Sequence, residues 1–166
     1  MDLRPSSTRR PQVIIASLGI AGALLIAAGL PVHASTTTES ITGSFEGSEA
    51  FTSPTTIAVQ GSGHLNLMGR ASNVGVATSE GQDASGCILN VNNERLISAN
   101  GDELDISSND DGCPVSPGVY HGTGQWTVSG GTGRFAGRTG SGTLDGYSNF
   151  GSGTFTFTLS GTVTSD

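Results

Sequence analysis

TFTFTLSGTV, residues 154–163, puts Phe155, Phe157, Leu159 and Val163 on one parity and Thr154, Thr156, Thr158, Ser160 and Thr162 on the other. A period of two belongs to an extended chain with one face buried and the other in water. The same alternation recurs upstream. Ile41, Gly43 and Phe45 oppose Thr42, Ser44 and Glu46, and Tyr120, Gly122, Gly124, Trp126 and Val128 oppose His121, Thr123, Gln125 and Thr127. Between the apolar runs Leu96-Ile97 and Leu104-Asp105-Ile106 lies Ala99-Asn100-Gly101-Asp102. Asn-Gly in that setting predicts a tight hairpin. Residues 35–166 hold 23 glycines in 132 positions, with Ser and Thr filling much of the rest. That composition disfavours helix, so the fold class is all-β.

At the N-terminus Arg4, Arg9 and Arg10 precede an uncharged, mostly apolar run from Val13 to Leu30, followed by Pro31-Val32-His33-Ala34. This is the layout of a secretory signal peptide, residues 1–34, cut between Ala34 and Ser35. Export by the general route or by a twin-arginine signal at Thr8-Arg9-Arg10 both stay open. The competing assignment is an uncleaved anchor, since about twenty apolar residues span a bilayer. No Cys lies beside the cut to carry a lipid, so nothing would hold residues 35–166 to a membrane. Their length suits a single domain.

Those residues carry 13 acids against four arginines, Arg70, Arg95, Arg134 and Arg138, and no lysine, a net charge of −9. Without a basic run to track a phosphate backbone, nucleic acid is an unsuitable partner. Cys87 and Cys113 are the only cysteines, and an exported chain meets oxidising conditions, so a Cys87–Cys113 disulfide is expected. It would add on the order of 3 kcal/mol by restricting the unfolded chain. No CxxC or zinc-ligand spacing is present, and no cofactor is expected.

The segment GGTGRFAG, residues 130–137, matches the loose dinucleotide pattern GxGxxA over Gly131–Ala136. A true fingerprint opens a helix after a strand. Here Gly137-Arg138-Thr139-Gly140-Ser141-Gly142 follows, which cannot sustain one, so these glycines turn the chain between strands. Together with GTGQWTVS, residues 122–129, and GSGTFTFTLSGTVT, residues 151–164, this segment resembles small secreted bacterial barrels akin to allene oxide cyclase and dirigent proteins. The resemblance covers Ala99 to Thr164. It implies a closed antiparallel up-and-down barrel of about eight strands. It also implies that a substrate or ligand sits inside the barrel, and that the chain is a homotrimer; the polar Thr and Ser rows argue for a monomer. No catalytic residue of the plant families can be placed on this sequence position by position.

Inside such a barrel Phe45, Trp126, Phe155 and Phe157 are expected to line the interior, with Leu159 and Val163. Arg138 joins them if alternation holds from Arg138 to Leu144, where it could meet an anionic ligand group; a bulge at the nearby glycines would instead expose it. His64 and His121 fall on polar rows and are expected at the surface. Asp102, Glu103, Asp105, Asp110 and Asp111 form an acidic cluster that fits no EF-hand loop. A solvated hairpin edge accounts for it, with calcium as the alternative. Many inward positions are glycine, so the core has room for a small ligand. Three functions follow: a non-catalytic secreted barrel that binds an apolar or amphiphilic small molecule, an isomerase or cyclase resembling allene oxide cyclase, or an envelope-associated structural protein with a filled barrel.

Overall fold

A computed structural model describes residues 36–165; the expected signal peptide and its cleavage site lie outside the described residues. Eight strands follow one another: β1 (Thr37–Ser53), β2 (Thr56–Leu65), β3 (Gly69–Gln82), β4 (Ile88–Ser98), β5 (Glu103–Ser116), β6 (Val119–Gly131), β7 (Thr139–Asn149) and β8 (Thr154–Ser165). Each pairs antiparallel with its sequence neighbour, and β8 returns to β1, closing the barrel. No α-helix occurs among the described residues.

The alternation of β8 sets its orientation: Phe155, Phe157, Leu159 and Val163 point inward, while the threonines between them face out. Through the ladder, Phe157 lies beside Phe45, Leu159 beside Gly43 and Gly161 beside Ile41, so the inward row of β1 is fixed by that of β8. The outer row of β8 is polar, unlike the apolar outer face of a membrane-spanning barrel, whereas β3 and β4 expose Val74, Val76 and Leu89. No helix among the described residues is long and apolar enough to cross a membrane.

Trp126 keys the core. Its indole is 1% exposed and lies over Gly142 and Gly161, where a Cβ on either residue would stand 2.7 Å from the ring. The indole Nε1–H donates to the carbonyls of Thr143, at 3.1 Å, and Ser160, at 3.3 Å. Glycine is required at both positions by the closeness of backbone and ring.

The expected hairpin at Asn100-Gly101 is present between β4 and β5, with Gly101 N–H donating to Ser98 O at 3.0 Å. The expected Cys87–Cys113 bond is also present and joins the residue just before β4 to β5. Just ahead of it, the Asp83 carboxylate accepts from the N–H groups of Ser85 and Cys87. The Ser85 hydroxyl bond to that carboxylate, more than the backbone bonds, holds its pKa below the usual range.

GGTGRFAG turns the chain between β6 and β7, as the composition predicts, with Gly133 and Gly137 at φ +56° and +71°. The turn also does something that composition did not announce. Gly133–Phe135 forms one 3-10 turn that drops Phe135, 1% exposed, into the end of the barrel. Arg134 and Arg138 place their guanidinium carbons 5.3 and 5.4 Å from the Phe135 ring centroid. Arg134 pairs with Asp102 at 3.1 Å and Arg138 with Glu39. This end, with the β2–β3, β4–β5 and β6–β7 connections, is therefore plugged.

Candidate functional site

Below the plug the interior is apolar: Ile41, Leu65, Leu96, Leu104, Ile106, Trp126, Leu159 and Val163 fill it. Toward the opposite end the inward rows change character. On β4 they read Glu94, Asn92 and Asn90, on β5 Ser108 and Asp110, and on β1 Glu49. Of these, Glu49, Asn90, Asn92, Glu94 and Asp110, with Val59, Ala77, Leu144, Phe155 and Phe157, surround a cavity of about 110 Å³. At its mouth Tyr120 and Phe150 pack with ring centroids 5.0 Å apart, and Phe51, 57% exposed, packs edge-on against Phe150 at 5.1 Å.

The interior carboxylates are held by neutral donors. Asn90 Nδ2 donates to Asp110 Oδ1 at 2.8 Å and Asn92 Nδ2 to Asp110 Oδ2 at 3.0 Å. Ser148 Oγ lies 2.6 Å from both oxygens of Glu49. Asn73 Nδ2 donates to Glu94 Oε2 at 3.0 Å, while Glu94 Oε1 receives no hydrogen bond among the described residues. Asn73 Oδ1 is fully buried and has no partner among them. Burial pushes all three carboxyls up, Glu94 to about 7, and the negative charge of Asp110 adds to the effect on Glu94. No grouping of His, Cys, Asp and Glu suited to a metal ion occurs among the described residues.

A wider concavity of about 970 Å³ runs along the outer face past Ser44, Ser62, Arg70 and Thr158. It lies open on the outer surface, whereas the interior cavity has convergent polar groups and apolar walls, the features of a ligand site.

Of the residues expected to line the interior, Phe155 and Phe157 border the cavity, while Phe45 and Trp126 are buried core. Phe45 stacks on Phe157 at 5.1 Å. Arg138 lies one residue before β7, on the inward row but beyond the barrel wall, with its side chain 16% exposed. Its guanidinium is bound to Glu39 and to Arg134 O, far from the cavity lining, so its charge is committed to the plug. Arg138→Ala is expected to lower stability by about 1–2 kcal/mol, from a partly exposed ion pair and a cation–π contact. Chemical denaturation would measure the loss.

His64 and His121 lie on outward rows, His121 stacked on Tyr147 and 3.0 Å from Asp145. The acidic cluster does not stay together. Asp105 and Glu103 meet Arg95 on the outer face at 2.7 and 3.5 Å, Asp102 joins the plug, and Asp110 turns into the cavity. Closure leaves no sheet edge to charge, and the 14-residue β5 spreads Glu103, Asp105, Asp110 and Asp111 along the barrel. Glu49, Glu94 and Phe150 were not among the expected site residues, and Asp110 was expected only as part of the acidic cluster. The signal for three of them was parity: Glu49 shares a row with Phe45, Glu94 with Leu96, and Asp110 with Leu104 and Ile106. Comparison with family models, curated proteins and solved structures finds no match.

Proposed function

We propose that this chain is exported with loss of residues 1–34 and that residues 35–166 act as a monomeric, non-catalytic binding protein. The open end of the barrel takes the polar head of a small amphiphilic molecule. The observation that carries this reading is the cavity itself, polar at its base, walled by Phe155, Phe157 and Leu144, and rimmed by Tyr120 and Phe150. At about 110 Å³ it admits a group the size of a single ring, and the rest of a larger ligand would lie against the rim. The likeness to allene oxide cyclase and dirigent barrels supports an interior site. A second reading, an isomerase or cyclase, draws on Glu94, whose pKa of about 7 suits proton transfer at neutral pH.

Native mass spectrometry of the protein recovered from its secreting cells, followed by denaturing mass analysis, tests the proposal. The expected result is a monomer carrying a small-molecule adduct that is released on denaturation, leaving a mass that begins at Ser35 and contains one disulfide. A trimer would overturn the subunit assignment alone. An adduct-free protein would favour the filled structural barrel, and turnover of the released compound would favour the enzyme.

A further inference from the structure

The cavity joins two kinds of group that favour the same ligand charge. Three carboxylates, Glu49, Glu94 and Asp110, line it, and so do the rings of Tyr120, Phe150, Phe155 and Phe157. Carboxylates attract a cation directly, and aromatic faces attract one through their negative quadrupole. No arginine or histidine shares the lining. Among the described residues the basic side chains lie elsewhere: Arg134 and Arg138 in the plug, Arg95 on the outer face with Asp105, Arg70 and His64 along the outer concavity, and His121 outside with Asp145. Among the described residues the carboxylates therefore have no countercharge in the cavity. Asn90, Asn92 and Ser148 donate to Asp110 and Glu49, but the free oxygen of Glu94 has no donor and Glu94 itself borders the cavity. A bound cation with N–H groups would supply both.

We infer that the open-end cavity selects an organic ammonium ion whose nitrogen sits among Glu49, Glu94 and Asp110 and whose apolar body rests against Tyr120 and Phe150. This rests on the reading of the cavity as a small-molecule site and adds the charge of its ligand. An anionic head group would meet three carboxylates and no donor with a positive charge. A neutral one would leave the carboxylates uncompensated. Ring-sized volume limits the enclosed part to an ammonium with a few carbons or one ring.

The test compares three molecules of one skeleton, phenethylammonium, 2-phenylethanol and phenylacetate, against the exported protein labelled for NMR, at about pH 8 where Glu94, titrating at about 7, is ionised. Phenethylammonium is expected to shift the resonances of Glu94, Asp110 and Tyr120 and to bind about tenfold or more tighter than the alcohol, the gain of a charge-assisted hydrogen bond. Phenylacetate is expected to bind weakest. Glu94→Gln should remove most of the preference for the amine over the alcohol, and Asp110→Asn provides a second variant should the first fail to fold. Equal binding of amine and alcohol would overturn the ammonium inference while the small-molecule reading stood, as would a preference for phenylacetate. Absence of binding by all three at millimolar concentration would overturn both.

Discussion

Trp126→Ala is expected to lower the unfolding free energy by about 4 kcal/mol or more, the upper part of the range for deleting a buried large aromatic side chain. Two effects place it there. The indole fills the space above Gly142 and Gly161, and neither glycine has a side chain that could move into the void. The strands beneath are held by their own ladder, so the cavity cannot close. The Nε1–H also serves Thr143 O and Ser160 O, and both carbonyls lose that donor in a dry interior. Against a total stability of about 5–15 kcal/mol, the variant would be marginal. Urea or guanidinium denaturation of the two proteins gives the difference directly. Trp126→Phe keeps one aromatic ring in the core but loses the donor and part of the indole volume, and is expected to cost roughly 1–2 kcal/mol less than the alanine. A loss below about 2 kcal/mol for alanine would show that the β6, β7 and β8 strands repack without the indole.

Glu94→Gln is expected to act in the opposite direction and to depend on pH. The Glu94 carboxyl titrates at 4.5 when unperturbed and at about 7 in the barrel, chiefly because burial disfavours its charge and secondarily because Asp110 repels it. The folded protein thus holds this proton more tightly than the unfolded chain does. Its contribution to stability is complete below about pH 4.5 and is lost as pH rises through 7. The shift corresponds to up to about 3 kcal/mol, at 1.36 kcal/mol for each pH unit. Glutamine carries no charge to desolvate, and its amide oxygen still accepts from Asn73 Nδ2. The variant should therefore be more stable than the natural chain at pH 8 by up to about 3 kcal/mol and equal to it near pH 4. Denaturation midpoints across that interval measure the difference. Burial raises Asp110 and Glu49 in the same direction, so the natural barrel itself should weaken as pH rises from mildly acidic to basic. A variant less stable at pH 8 would mean that the ionised carboxylate has a favourable partner inside the unliganded barrel.

Taken together, these results would give the cavity the character of a functional site that costs the fold stability. A buried carboxylate without a countercharge is unfavourable in isolation and becomes favourable when a cation arrives. The same substitution that strengthens the barrel would weaken its ligand, a trade-off common where a site is built from strained or uncompensated groups.

The extended segments, the Asn-Gly hairpin, the disulfide and the inward aromatic rows were legible because each depends on a few neighbouring residues. On β8 the contrast between Phe and Thr is complete, and a period of two leaves one register. Even Tyr120 could be placed on the row of Trp126 by that period alone. On β4 both rows mix apolar and polar residues, with Ile88, Asn90, Asn92, Glu94 and Leu96 on one and Leu89, Val91, Asn93, Arg95 and Ile97 on the other, so parity with Leu96 places Glu94 on a row but does not say which row is buried. Phe135 was similarly hidden, since a single aromatic residue in a glycine turn has no period to reveal where it points. Local chemistry determined that this chain forms antiparallel strands with one face buried. Only closure decided which polar residues that face includes, because β1, β4 and β5 bring Glu49, Glu94 and Asp110 to one cavity from positions up to 61 residues apart in the chain. Desolvation inside a sealed wall, plugged at one end by Phe135 and open at the other, then turned three ordinary carboxylates into the chemical identity of the site.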